Sequence, residues 1–372
     1  MSRGADVTPT HWAHFNPVRI AAGVGALEHL PQWVQPQVKV LLVTTAGFSR
    51  RGVTDRLLRL LGEQRVVVHD RVTPNAQLDE VEHAAVSLRD QNIGAIVALG
   101  GGSVLDTAKA LSLGLCSTDA HPFGNVFRAG RPQTWTEAVP LYAIPTTAGT
   151  GSEVTPFATM WDRTTHKKHS LSGERLYPAV ALLDPDLTLS LPLEETLYSA
   201  LDAISHALES LWNKNRAPVS SALAFRALAI AERALPRVLA TPDRVEARAN
   251  MQHASLLAGL AISQTRTAMA HSVSYPLTSR CGVPHGLACS FTLPYILRAN
   301  LDRVAEHAEE RTVLAAVLEL LERLDLGTRM RQYVSGREIL GLQDEMHAQG
   351  RIENFAGELP GGLPRLLEES VR

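Results

Sequence analysis

The sequence predicts two domains in series, an α/β domain over residues 1–188 and an all-α domain over residues 189–372. Three observations predict this. Short β-branched runs alternate with amphipathic segments as far as Asp184, glycine-rich stretches follow two of those runs, and from Leu193 the composition shifts to helix formers. A hydrophobic share of 45% over 372 residues is enough to fill a core in each domain.

Val38 to Thr44 (VKVLLVT) has the composition of a buried parallel strand and is closed by Thr45, Ala46 and Gly47. A helix is expected from about Val53 to Leu61, a strand from Arg65 to His69, and an amphipathic helix from Leu78 to Asp90. Ala95 to Leu99 (AIVAL) then reads as strand, Val104 to Leu113 as helix, and Leu141 to Ile144 as strand. The basic stretch from Trp161 to Arg175 reads as a solvated face, and Val180 to Leu183 as a last strand. Such alternation gives a parallel sheet with helices on both faces, and in such sheets ligands bind beyond the carboxyl ends of the strands.

Two turns fall at those ends. Gly100-Gly101-Gly102-Ser103 joins the AIVAL strand to a helix carrying Asp106 and Lys109. Glycines let the backbone approach a phosphate, and the next helix supplies free N–H groups and a positive dipole end, so a pyrophosphate fits here. The spacing is not GxGxxG, so an ordinary dinucleotide fold does not follow from it. Pro145 to Glu153 (PTTAGTGSE) sets two glycines among four hydroxyls, a run able to hydrogen-bond ribose and phosphate oxygens.

In the second half, YSALDAISHALESLW has helical spacing and places Asp202 and His206 at i and i+4 on one face. Alone, the pair is most simply a hydrogen bond along a helix. Two further histidines change that: His271 at the end of the small-residue helix LLAGLAISQTRTAMAH, and His285 at the start of GLACSFTLPYIL. Three histidines and an aspartate form a divalent-metal donor set, one that suits Fe²⁺, Zn²⁺, Co²⁺ or Mn²⁺.

Thirty-six Lys and Arg against 38 Asp and Glu leave a net charge of -2, which argues against a nucleic-acid partner. The cysteines Cys116, Cys281 and Cys289 have no CxxC spacing and suit a reducing compartment. MSRGADVTPTHWAHFNP lacks the apolar core of a signal peptide, and no apolar run reaches the roughly 18 to 20 residues of a membrane helix. The expectation is a cytoplasmic protein with no membrane partner.

GGGSVLDTAKA, PTTAGTGSEVTPFA, ALDAISHALES and the pair His271 and His285 followed by GLA together resemble the iron-dependent (group III) alcohol dehydrogenase family, along nearly the whole chain. The resemblance implies an α/β N-terminal dinucleotide-binding domain plus an all-α C-terminal metal- and substrate-binding domain, the dehydroquinate synthase-like fold. It implies a metal held by Asp202, His206, His271 and His285, with Fe²⁺ first and Zn²⁺ second. It implies NAD(P)H against Gly101, Gly102, Ser103, Asp106, Thr146 and Thr147, with Lys168 near the nicotinamide, and a homodimer. Thr45, Asn75, Thr150 and Ser152 complete the expected cofactor contacts.

Two departures bear on mechanism. Many members carry a proton-relaying histidine four residues after the third ligand; here that position is Tyr275, which with Lys168 makes the expected catalytic pair. Members strict for NAD have an aspartate after the first strand; here Thr45 stands there, with Ser49, Arg50 and Arg51 nearby, so use of both NAD and NADP is expected.

TRTAMAHSVSYPLTSRCGVPHGLACSFTLP is also similar to a subgroup that reduces phosphonoacetaldehyde to 2-hydroxyethylphosphonate. A dianionic substrate calls for cations, for which Arg266, Arg280, Lys168 and Lys214 are the expected suppliers. The alternatives are reduction of a neutral or sulfonated short-chain aldehyde, a dehydroquinate-synthase-like lyase or cyclase, and a cofactor-binding regulator. Ligand type and spacing argue against the second, and retention of all four ligands against the third.

Overall fold

The structure is a computed structural model that describes residues 11–133, 135–165, 167–347 and 350–371. Its strands are β1 (Arg19–Ala22), β2 (Lys39–Val43), β3 (Val66–His69), β4 (Ile93–Gly100), β5 (Leu141–Pro145), β6 (Phe157–Asp162), β7 (Lys167–Ser172) and β8 (Val180–Leu183). Six of them form one sheet in the order β1-β8-β5-β4-β2-β3, with every pairing parallel. Between them run α1 (Ala46–Arg50), α2 (Val53–Leu61), α3 (Leu78–Leu88), α4 (Gly102–Gly114) and α5 (Pro122–Phe127).

Side chains alternate across each strand, so the sheet builds two cores. Leu41, Val43, Ile96, Ala98 and Ala143 pack with Leu78 and Val81 of α3 and Val104 and Leu105 of α4. Val40, Leu42, Val97, Leu99 and Ile144 pack with Phe48 of α1 and Leu57 and Leu61 of α2. The expected parallel sheet with helices on both faces is present. Chain order reverses direction between β2 and β4, the point at whose carboxyl end parallel sheets of this kind bind ligands.

The stretch from Trp161 to Arg175 is not simply a solvated face. Phe157–Asp162 and Lys167–Ser172 pair antiparallel, with Trp161 opposite Lys168. Ala158, Met160 and Asp162 are buried while Phe157, Thr159 and Trp161 are partly exposed, the period of two that the surrounding basic residues hide. Asp162 is held by Arg128 through two hydrogen bonds of 2.8 Å, and the Lys168 ammonium lies 5.3 Å from the Trp161 ring centre.

The helical part contains α6 (Leu193–Leu211), α7 (Pro218–Ala240), α8 (Val245–Thr265), α9 (Met269–Cys281) and α10 (His285–Ala288). After these come α11 (Leu293–Val304), α12 (Ala308–Arg323), α13 (Leu326–Met330), α14 (Gly336–Gly341) and α15 (Gly362–Ser370). Helix α6 starts after Pro192 and carries Glu194 and Glu195 in its first turn, where carboxylates complement the free N–H groups. Ala200, Leu201, Ile204, Leu208 and Leu211 bury it in the helical core. No helix of the described residues is long and apolar enough to cross a membrane.

The chain divides into two compact units, one of Asn16–Thr147 with Ser152–Thr188, the other of Leu189–Arg372 with Ala148–Gly151 and the lead-in ending at Phe15. The loop Ala148–Gly151 belongs with the helices for a steric reason. A Cβ on Gly149 would sit 2.6 Å from the Ser199 carbonyl oxygen, and one on Gly151 would sit 2.4 Å from the Cα of Gly259. Gly151 also has φ +61°. These two glycines, which the sequence placed in a phosphate-friendly turn, serve close backbone approach to α6 and α8.

Candidate metal centre

Helix α6 presents Asp202, His206 and Glu209 on one face, since steps of four and three residues bring side chains into line. The expected position of His271 needs correction. Helix α8 stops at Thr265, Arg266 takes φ +65°, and His271 lies in the first turn of the new helix α9. Glu209, fully buried, makes that start possible. Its Oε1 accepts hydrogen bonds from the backbone N–H groups of Ala270 (2.7 Å) and His271 (3.3 Å), and its Oε2 is 2.6 Å from His271 Nδ1. His285 opens α10 directly after Pro284.

Three imidazoles converge on one carboxylate oxygen. Asp202 Oδ1 lies 3.5 Å from His206 Nε2, 3.4 Å from His271 Nε2 and 3.9 Å from His285 Nε2. The His206 and His271 rings stack with centres 4.9 Å apart. Asp202, His206 and His271 are buried, whereas the His285 side chain is 33% exposed, so the cluster is reached from the His285 side.

The electrostatics call for a cation. Burial alone would raise the Asp202 pKa, but His206, His285 and His271 outweigh it and hold the carboxyl well below its usual range. Burial draws His271 down, yet Glu209 and Asp202 lift it to about 9. His206 is lowered, chiefly by burial. His271 Nδ1 donates to Glu209, so Nε2 is the atom turned toward the Asp202 carboxylate, 3.4 Å from Oδ1, and the raised pKa keeps a proton on it whenever no metal ion takes that place. Facing lone pairs in a buried site are stable only with positive charge between them, a proton or a metal ion.

The donor spacing suits the metal. Four ligands at about 2.1 Å in a tetrahedron stand about 3.4 Å apart, against the 3.4, 3.5 and 3.9 Å found. Nitrogen and carboxylate donors fit a divalent ion of borderline hardness. Cys289 also joins Asp202, His271 and His285 in a cluster within 4.8 Å. Burial and the Asp202 charge push its thiol pKa well up, so it donates a hydrogen bond to Asp202 Oδ1 (3.5 Å) as a thiol.

Several residues expected at the cofactor lie along one sheet edge. Thr45 follows β2, Gly101 caps α4, and Thr146 N–H donates to the Gly100 carbonyl at 3.1 Å. The Ser103 hydroxyl accepts from the backbone N–H of Asn75 at 3.0 Å, and a Cβ on Gly101 would meet the Thr147 methyl at 3.1 Å. Gly102 opens α4. Asp106 points inward, taking bonds from the Ser152 hydroxyl and the Thr159 N–H, both 2.8 Å. Thr150 lies in the loop grouped with the helices.

The remaining expected residues separate. Tyr275, one turn beyond His271, accepts a hydrogen bond from Arg351 Nε at 3.2 Å. Arg280 is nine residues beyond His271, about 13 Å along the helix, and its guanidinium pairs with Glu345 at 2.8 Å. It does not serve the cluster. Lys214 is exposed, and its backbone N–H donates to the Asn354 carbonyl. The sequence alone does not assign Glu209, Cys289 or Arg351 to a site. For Glu209 the signal was its place seven residues after Asp202, two helical turns on; for Cys289 it was the spacing of four from His285.

Comparison with known proteins decides the family. The family described as iron-containing alcohol dehydrogenase matches residues 17–185, and the C-terminal part of the same family matches residues 196–335. The chain belongs to the iron-containing alcohol dehydrogenase family. It is therefore an oxidoreductase acting on alcohols, in a family of metal-dependent alcohol dehydrogenases and aldehyde reductases. The phosphonoacetaldehyde reductase of Streptomyces viridochromogenes is 38% identical over 267 residues, 70% of this chain and 67% of the relative. The choline dehydrogenase of Bacillus subtilis is 32% identical over 292 residues, covering 76% and 71%. Among solved structures of this iron-containing family's fold, sulfoacetaldehyde reductase from Bifidobacterium kashiwanohense in complex with NAD⁺ superposes with a TM-score of 0.85. It is 29% identical and covers 98% of both chains.

Proposed function

We propose that the protein reduces a small aldehyde bearing an acid group to its alcohol with a reduced nicotinamide cofactor, best read as phosphonoacetaldehyde to 2-hydroxyethylphosphonate. The convergence of three imidazole nitrogens on Asp202 Oδ1 carries the reaction class. The substrate reading is supported by two similar proteins, one named for phosphonoacetaldehyde and one for sulfoacetaldehyde. Both names denote two-carbon aldehydes ending in an acid group.

In this reading Asp202, His206, His271 and His285 hold the divalent cation, iron first. When bound, the cation supplies Lewis-acid polarisation of the aldehyde oxygen and the nicotinamide supplies the hydride. The carboxylate of Asp202 lowers the net charge of the site, and Glu209 fixes the His271 tautomer so that Nε2 offers its lone pair. Gly101, Gly102 and Ser103, with the first turn of α4, take the pyrophosphate. Thr45, Asn75, Thr146, Thr147, Thr150 and Lys168 complete the cofactor contacts, while Asp106 and Ser152, bonded to one another, shape the turn from beneath. Thr45 carries no charge to repel a 2′-phosphate, which favours use of both NADH and NADPH.

The test is loss of NADH or NADPH absorbance, after loading with Fe²⁺ or Zn²⁺, on phosphonoacetaldehyde, sulfoacetaldehyde and propionaldehyde. The expected result is a kcat/KM for phosphonoacetaldehyde at least about 10-fold above propionaldehyde. Equal or better turnover of the neutral aldehyde would sink the substrate reading and leave the family membership untouched.

A further inference from the structure

Arg266 stands where the backbone favours glycine. It ends α8 with φ +65° and ψ 171°, and its neighbourhood holds it there. Asn215 Nδ2 donates to the Thr265 carbonyl (3.2 Å), Asn213 Nδ2 to the Arg266 carbonyl (3.0 Å) and Asn354 Nδ2 to the Thr267 carbonyl (2.9 Å). Three asparagines thus clamp three successive carbonyls. A glycine at 266 would make the same turn without strain, so the side chain is what the clamp preserves.

Asn354 also ties in a second arginine. Its backbone N–H donates to the Arg351 carbonyl at 2.9 Å, so one residue links the backbones that carry Arg266 and Arg351. The Arg351 guanidinium donates from Nε to the Tyr275 hydroxyl, and among the described residues no carboxylate pairs with it. Partial burial and then the charge of Arg351 lower the Arg266 pKa, as expected for two guanidiniums held near one another. The Asn354 link brings the Arg351 backbone to the turn that carries Arg266, and the forked donors of guanidinium suit phosphonate and sulfonate oxygens. Tyr275 lies one turn from His271 on the same face of α9, so the hydroxyl that takes the Arg351 hydrogen bond stands on the helix face that carries a ligand of the cluster.

We propose that Arg351 and Arg266, with Tyr275 orienting Arg351, form the subsite that binds the acid group of the substrate. The assignment rests on the acid-aldehyde reading above and deepens it. Tyr275 then acts as a positioning residue, and a cationic alcohol such as choline is disfavoured by the two guanidiniums.

The test uses the metal-loaded full chain and its Arg351→Gln and Arg266→Gly variants. Glycine adopts the native backbone at 266 without strain, so that variant is expected to fold with an equal or higher Tm. Each enzyme is assayed on phosphonoacetaldehyde and propionaldehyde, and methylphosphonate is tested as a competitive inhibitor of propionaldehyde reduction. The expected result is that the kcat/KM ratio of the acid over the neutral aldehyde falls by about 10-fold or more in Arg351→Gln and by several-fold in Arg266→Gly, mostly through KM. Methylphosphonate inhibition weakens in the same order. If the wild-type enzyme prefers the acid aldehyde and both variants keep that ratio, the subsite is wrong and the substrate reading stands. If the wild type shows no preference, the substrate reading fails and the inhibitor decides. Weakened inhibition in Arg351→Gln then keeps an anion subsite, and absent or unchanged inhibition overturns it.

Discussion

Each unit of this protein buries a cluster of charged groups, and the two clusters are built on opposite logic. In the α/β unit Lys109 is fully buried, and its ammonium donates to the Thr155 carbonyl (2.7 Å), the Thr155 hydroxyl (3.2 Å) and the Phe157 carbonyl (2.8 Å). Asp106 and Glu153 supply the opposing charge. Donors there meet acceptors and a cation meets carboxylates, so nothing further is required. In the helical unit the acceptors face one another, with three imidazole nitrogens around one carboxylate oxygen. The difference teaches that burial of charge alone does not mark a functional site. An unmatched set of lone pairs does.

That contrast can be broken at several points. The largest effect is expected from Lys109→Ala, which leaves Asp106 and Glu153 buried without their cation. A loss of about 3–5 kcal/mol in urea unfolding is expected, with metal binding retained by the folded fraction. Next comes Glu209→Gln, where removing the charged partner of His271 should weaken metal affinity by about 10–100-fold in chelator competition. An affinity equal to wild type would reduce Glu209 to a cap for α9.

The smallest effect is a pH dependence confined to the α/β cluster. Burial raises Glu153 from 4.5 to about 7, so its stabilising contribution is complete below pH 4.5 and is lost as the pH rises to 7. Burial lowers Lys109 from 10.5 to about 8, so its contribution is complete above pH 10.5 and is lost as the pH falls through 8. This unit is therefore least stable between pH 7 and 8. Glu153→Gln should flatten the acid side of the profile, measured as Tm against pH. An unchanged slope between pH 4.5 and 7 would contradict the account of Glu153.

What the sequence made legible follows from range. The alternation that builds the parallel sheet is local, as is the i,i+4 spacing of Asp202 and His206, and both stand in the structure as read. The hairpin Phe157–Asp162 with Lys167–Ser172 escaped because its period of two is overlaid by Arg163, Lys167 and Lys168. The break at Arg266 escaped because no glycine or proline marks it; its cause lies in asparagines at 213, 215 and 354, brought there only by tertiary folding. Arg351 meets Tyr275 across 76 residues of sequence, beyond any local pattern. The glycines at 149 and 151 were visible, but not whether they face a phosphate or a helix backbone, and the close approach to Ser199 and Gly259 settles that they face helices.

The central claim is that Asp202 is the carboxylate ligand around which His206, His271 and His285 gather a cation. Its most direct test is the metal content per chain of wild type and Asp202→Asn after loading with Fe²⁺ or Zn²⁺ and dialysis, with circular dichroism to confirm the fold. The account predicts about one ion per wild-type chain and an affinity more than about 100-fold weaker in Asp202→Asn, with activity lost in parallel. A folded Asp202→Asn protein with the wild-type metal content and activity would contradict it.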